Sequence, residues 1–163
     1  MNLADKIFRI GYAFLPMARI VVLNGIGSVG KSSTARALQK IANEPFLHVQ
    51  GDVFLDMISP KMWGHADGIV FEQTEQNGVA SVEIKMGSAL DQLMDGMRLA
   101  VMALAHAHNA CIVDDVMLSA DAQVAYLAKA VSIPIQFVGL HAPLAVLEDR
   151  ERMRGDRLPG LAR

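Results

Sequence analysis

Cysteine is almost missing from this chain: Cys111 is the single one in 163 residues. An internal disulfide is therefore excluded. Cys111, set in an apolar run, reads as a small core residue in a reducing, cytoplasmic compartment. A strong charge of either sign is missing too. The formal net charge of −2 and a pI near 6.2 leave no global basic footprint for nucleic acid, so any attraction for phosphate must be local. No apolar stretch is long enough to span a membrane. Residues 1–16, MNLADKIFRIGYAFLP, also lack a secretory cleavage pattern. They read as an N-terminal extension, either an upstream start codon or a short amphipathic segment, ahead of a natural start at Met17. The histidines His48, His65, His106, His108 and His141 show no metal-cluster spacing and read as surface or strand-end residues. With 52% apolar and 20% charged residues, the chain has the composition of a globular protein, and its length sets one domain over 17–163.

What is present is concentrated in RIVVLNGIGSVGKSST, Arg19 to Thr34. Ile20-Val21-Val22-Leu23 is β-branched and apolar, as a strand buried on both faces of a parallel sheet should be. Gly25-Ile26-Gly27-Ser28-Val29-Gly30-Lys31-Ser32 fits G-x-x-x-x-G-K-[ST], with a strand before it and a helix after it, the context that this pattern requires. Glycines permit backbone angles that turn successive N–H groups inward at the positive end of a helix, and a polyphosphate is the natural guest. Gly25, Gly27, Ser28, Val29, Gly30, Lys31, Ser32 and Ser33 are the candidate nucleotide-binding residues. Lys31 reaches the β- and γ-phosphates, and the Ser32 hydroxyl ligates Mg²⁺.

Helical spacing continues from Ser33 to Asn43, where Asn43 and Pro45 stop it. Phe46 to Val49 reads as a second strand. Asp52 follows its C-terminal end, the edge where ligands bind in open α/β sheets, and so falls beside the phosphate loop. It serves either as a base or as an N-cap for a short helix over Val53 to Ile58. Between Lys61 and Gly87 the periodicity weakens. Ile69-Val70-Phe71 and Val79 to Ile84 flank Asn77-Gly78, the signature of a hairpin, and an excursion of this kind suits a substrate cover. Phe54, Met57, Met62, Trp63 and Phe71 could wall such a site. Ser88-Ala89-Leu90-Asp91 looks like a capping box opening a long helix with Leu90, Leu93, Met94, Met97, Val101 and Leu104 on one face. The strand Ala110 to Val113 delivers Asp114 and Asp115, and Asp114 is the candidate Mg²⁺ carboxylate. A helix from Asp121 to Val131 and a strand from Ile133 to Leu140 complete a β-α-β alternation, which means a parallel sheet flanked by helices. Pro143 opens a helix to about Arg154. Arg150, Arg154 and Arg157 can share one face if the helix continues, with Arg152 turned away, and three guanidinium groups on one face suit a lid over a triphosphate.

Together, NGIGSVGKSS, Gly51-Asp52, IVDDVML and VLEDRERMRGDR resemble the chloramphenicol phosphotransferase-like proteins, P-loop kinases of the nucleotide-kinase type, from about Arg19 to Arg163. The resemblance implies an α/β P-loop NTPase fold and ATP-dependent phosphorylation of a small-molecule hydroxyl with Mg²⁺. Asp52 then matches the carboxylate that accepts the hydroxyl proton, Lys31 and Ser32 the phosphate and Mg²⁺ residues, Asp114 the strand-end acid, and Arg150, Arg154 and Arg157 the lid. Family members continue past the lid into a further strand and helix that help build the base pocket, whereas this sequence ends at Arg163. The expectation is an open sheet edge, covered in a homo-oligomer or left exposed. Three readings remain open at this point: an ATP:alcohol phosphotransferase, a non-catalytic nucleotide-binding remnant, and a zeta-toxin-like or nucleoside kinase with another acceptor. No Asn-Lys-x-Asp guanine reader accompanies the loop, so a signalling GTPase is disfavoured.

Overall fold

The β-branched run after Arg19 becomes the centre of a sheet. A computed structural model describes residues 19–76, 79–154 and 161, and the N-terminal extension lies outside the described residues. Strand β1 (Ile20–Asn24) pairs in parallel with β5 (Ala110–Asp115) on one side and with β6 (Ile135–Gly139) on the other. Strand β2 (Phe46–Gln50) pairs in parallel with β5, which gives the order β2-β5-β1-β6. Helices α1 (Lys31–Ile41), α2 (Gly51–Leu55), α3 (Ser88–His106), α4 (Ala120–Lys129) and α5 (Leu144–Arg154) connect or follow these strands. Strands β3 (Ile69–Gln76) and β4 (Val79–Met86) form a separate antiparallel hairpin.

Because side chains alternate along a strand, the sheet presents two apolar faces and each takes its own helices. Val22, Val49, Cys111 and Val113 pack against Met97, Val101, Met102 and Ala105 of α3 and Tyr126 of α4. The opposite face, Leu23 and Ile112 with the partly buried Val21 and Phe46, is covered by Ala35 and Leu38 of α1. Met97 and Val101 are fully buried, worth about 1.5–3 kcal/mol each in apolar area removed from water. Of the predicted stripe on α3, Leu90, Met97 and Val101 are buried and Met94 and Leu104 pack against the core, whereas Leu93 lines an open groove.

Several boundaries differ from the sequence expectation for local reasons. The sixth strand is shorter than Ile133 to Leu140. The short second helix starts at Gly51, not Val53, so Asp52 sits in its first turn and Gln50 is the N-cap. The capping box at Ser88 does not form. The N-cap of α3 is Gly87 without a side-chain cap bond; the Asp91 N–H donates to the Gly87 carbonyl at 3.0 Å and the Ala89 N–H to the Asp67 carbonyl at 2.8 Å. The hairpin base is folded so tightly there that the Gly87 N–H reaches the Gly68 carbonyl at 2.7 Å. A Cβ on Gly68 would stand 2.0 Å from the Met62 carbonyl oxygen, and one on Gly87 2.1 Å from that of Ala66. Backbone packing thus displaces the serine cap. The hairpin arms are also longer than predicted, in register from Ile69↔Met86 to Gln76↔Val79; the Asn77-Gly78 turn lies outside the described residues.

Candidate active site

The loop between β1 and α1 takes the conformation its glycines allow. Ser28 has φ 61° and Gly30 φ 106°, both left-handed. Gly25 is needed for a different reason: a Cβ there would meet the Leu140 carbonyl oxygen at 2.8 Å and Val29 Cγ1 at 2.9 Å. Lys31, the first residue of α1, is buried, and its Nζ donates to the carbonyls of Gly25 at 2.7 Å and Ile26 at 3.2 Å. Gly27 lies in the turn of the loop, and Ser33 is exposed on the first turn of α1. Val29 anchors the loop by packing on Leu147 of α5. That contact sets Arg150 over the loop, with Nη1 donating to the carbonyls of Val29 at 3.1 Å and Ser28 at 3.3 Å. Arg154 is the last residue of α5, one turn beyond Arg150, and Arg157 lies outside the described residues. Arg152 pairs with Asp149 at 2.9 Å, away from the loop.

The two acids that end β5 separate by strand alternation. Asp114 faces α1, where its Oδ2 accepts from Ser32 Oγ at 2.5 Å. Asp115 faces α4 and is 2% exposed; its Oδ2 accepts from the Tyr126 hydroxyl at 2.9 Å and its Oδ1 from the Val116 N–H at 2.7 Å. Burial, helped by the Asp115 carboxylate, pushes the Tyr126 hydroxyl above its usual range, so it stays a donor. Asp114 therefore belongs to the loop and Asp115 to the core.

Asp52 lies at the same sheet edge but one strand further from the loop than the sequence suggests, because β5 stands between β2 and β1. Its neighbour Gly51 closes that distance to Asp114: a Cβ on Gly51 would sit 3.1 Å from the Asp114 carbonyl oxygen. The Asp52 carboxyl is exposed in the first turn of α2, and the Asp56 N–H donates to its backbone carbonyl at 3.0 Å. Between α2 and α3 runs an open apolar groove of about 400 Å³, lined by Phe54, Met57, Ile58, Leu93 and Gln92 among others. Phe54 and Met57 of the predicted wall are there. Trp63 instead stacks on Phe71, centroids 6.2 Å apart, at the hairpin base.

One residue at the site departs from its sequence reading. His48 is not a surface or strand-end residue: its side chain is 9% exposed and its Nε2 lies 3.4 Å from Asp114 Oδ2. The signal that would have found it is register, since β2 and β5 pair His48 with Ile112 and Gln50 with Asp114, which puts His48 on the α1 face. Among the described residues, no group of three or more His, Cys, Asp or Glu gathers that could hold a metal ion. No described helix is long and apolar enough to cross a membrane.

A glycine loop between a central parallel strand and its helix, with a strand-end carboxylate on the helix serine, defines a P-loop kinase fold. Solved structures agree. A sugar kinase from Janibacter sp. HTCC2649 superposes with TM-score 0.56 at 17% identity, over 88% of this chain and 70% of that one. A gluconokinase from Sinorhizobium meliloti 1021 gives 0.52 at 18%, over 90% and 71%. A chain of the Pnkp1/Rnl/Hen1 RNA repair complex gives 0.62 at 17%, over 90% of this chain but only 42% of its own length. At such identities these likenesses show the fold alone. The family is shown by sequence: residues 18–163 match the model for chloramphenicol phosphotransferase-like proteins, and the chain belongs to that family. Two Mycobacterium tuberculosis proteins provisionally named O-phosphotransferases, Rv2636 of strain H37Rv and MT2714 of strain CDC 1551 / Oshkosh, are each 29% identical over 157 residues. The match covers 91% of this chain and 68% of each of them. By family the protein is thus a kinase-like phosphotransferase.

Proposed function

We propose that the protein transfers the γ-phosphate of ATP to a hydroxyl of a small molecule, a chloramphenicol-like antibiotic or a related metabolite. The observation that carries this reading is the convergence of Lys31, Ser32, Asp114 and Asp52 on one sheet edge. Ser32 and Asp114 are hard oxygen donors in direct contact, the chemistry that Mg²⁺ selects, and with no larger ligand cluster beside them among the described residues they suit an ion that completes its shell with phosphate and water oxygens. Mg²⁺, when bound, neutralises charge that develops on the phosphate oxygens. Ser32 and Asp114 would hold it.

Phosphoryl transfer is mostly positioning and charge neutralisation, so the chain's own residues have few tasks. The loop's N–H groups and Lys31 hold the polyphosphate. Arg150, already over the loop, and Arg154 and Arg157 after it add charge from the lid side. Asp52 accepts the acceptor's hydroxyl proton as that oxygen attacks the γ-phosphorus; the bond to the bridging oxygen breaks and ADP leaves. The acceptor's apolar body fits the groove between α2 and α3, which starts at the helix that carries Asp52. Labelled ATP, Mg²⁺ and a panel of hydroxylated antibiotics and metabolites test the proposal. Label should appear on at least one compound, and nucleotide binding without transfer to any of them would overturn it in favour of a non-catalytic nucleotide-binding protein.

A further inference from the structure

We infer that His48 is a positioning residue that fixes the Asp114 carboxylate for metal binding; the inference rests on the phosphotransferase reading above. His48 stands in the middle of β2, and its ring is carried by the strand pairing to the face of the sheet that α1 covers. Its Nε2 is fully buried, makes no hydrogen bond among the described residues and lies 3.4 Å from Asp114 Oδ2. A polar nitrogen is costly to bury without a partner, and the acceptor that faces it is the oxygen that Ser32 also engages. Two side chains from different elements, Ser32 of α1 and His48 of β2, therefore converge on one carboxylate oxygen. With its proton on Nε2, His48 becomes a donor to Asp114 when the contact shortens.

The ring does not act on the ion itself. Mg²⁺ takes oxygen ligands, and imidazole suits softer metals, so His48 works through Asp114. Carboxylates that ligate metals are themselves commonly held by hydrogen bonds, and loss of such an outer partner costs about tenfold to a hundredfold in metal affinity. His48 is the side chain placed to supply that bond here, from 3.4 Å. An apolar residue would fill the same space but would leave Asp114 held by Ser32 alone.

The test is calorimetric titration of the full chain with ADP, once with Mg²⁺ and once with chelator, for wild type, His48→Phe and His48→Gln. Wild type should bind ADP more tightly with Mg²⁺. His48→Phe should lose about tenfold or more of that gain while its metal-free ADP affinity stays the same, and His48→Gln, which keeps a donor, should recover part of it. In turnover, kcat should fall with the acceptor KM unchanged. A His48→Phe protein that keeps the whole Mg²⁺ gain overturns the inference and leaves the phosphotransferase reading standing. A wild-type protein with no Mg²⁺ gain overturns both. If phenylalanine disturbs the fold, seen as lost metal-free binding, His48→Leu takes its place with the same expected loss.

Discussion

Asp114 and Asp115 are adjacent in sequence, yet the structure gives them separate tasks, and substitution should separate them sharply. Asp115→Ala removes the acceptor of the buried Tyr126 hydroxyl at 2.9 Å and of the part-buried Val116 N–H at 2.7 Å. A donor left buried without a partner costs about 1–3 kcal/mol and the part-buried amide falls at the low end, so the variant should lose roughly 2–4 kcal/mol. Tyr126→Phe removes one of the two bonds and should cost about 1–3 kcal/mol. Since both variants break the same contact, the double variant should fall short of the sum by about 1–3 kcal/mol. A domain of this size has roughly 5–15 kcal/mol to lose. Asp114→Ala leaves behind the partly buried Ser32 hydroxyl, which can rotate to another acceptor, and the His48 Nε2, which already makes no hydrogen bond, so it should stay within about 1 kcal/mol of wild type.

The assay is urea unfolding followed by far-UV circular dichroism. With m of about 1–3 kcal/mol/M, Asp115→Ala should lower the midpoint by about 1–2 M and Asp114→Ala should hardly move it. Phosphate transfer should show the reverse order in whichever variants remain folded: Asp114→Ala inactive, Tyr126→Phe active. Equal stability losses for the two acids, or an Asp115→Ala protein within about 0.5 kcal/mol of wild type, would refute the division of labour between the faces.

Asp52→Asn should lower kcat by about 10²–10⁴ with ATP affinity unchanged, as loss of a general base does, whereas Lys31→Ala should damage both; steady-state kinetics with nucleotide titration separates them. Gly25→Ala drives a Cβ to 2.8 Å from the Leu140 carbonyl oxygen and should cost about 1–3 kcal/mol together with nucleotide affinity, read by unfolding and by ATP titration. Leu147→Ala, far in sequence from the loop but packed on Val29, should cost about 2–5 kcal/mol and also lower turnover, because the same contact sets Arg150; stability lost with kcat intact would deny that link. Burial pushes the Cys111 thiol up to about 11 from 9.0, and Tyr126 is raised as well, so the folded state holds protons that the unfolded state releases first. Stability should hold below about pH 9 and fall as pH rises towards 11, and Cys111→Ala should flatten the first part of that fall in midpoint-against-pH curves.

The parts of this molecule that were legible in its sequence are those whose cause is local. The glycine loop announces itself because its residues must take particular angles and its lysine and serine must follow at fixed offsets. β5 is legible because an apolar run that ends in acids is what a buried strand needs when it opens onto a polar sheet edge. His48 was not legible, since its meaning depends on β2 lying beside β5 and on a register that no short segment specifies. The cap of α3 failed for the same kind of reason. Gly68 and Gly87 bring the two ends of the hairpin into backbone contact, and the Asp91 amide that a Ser88 cap would have served donates to the Gly87 carbonyl.

Strand alternation explains how so short a stretch as Asp114-Asp115 can do two things at once. A single carboxylate at that edge could not both brace the core through Tyr126 and contact Ser32, because those partners lie on opposite faces of the sheet. Two in succession can, because the pleat sends one to each face. The loop is tied in a comparable way. Val29 packs on Leu147, and three residues later on the same helix Arg150 donates to the Val29 and Ser28 carbonyls, so the loop and α5 form one packed unit although more than a hundred residues separate them. On the proposed reading, the side of the loop that Arg150 covers is set by this apolar contact. If α5 acts as the proposed lid, its motion must begin by breaking or carrying that contact, so Leu147 is the residue on which the position of α5 over the loop would depend.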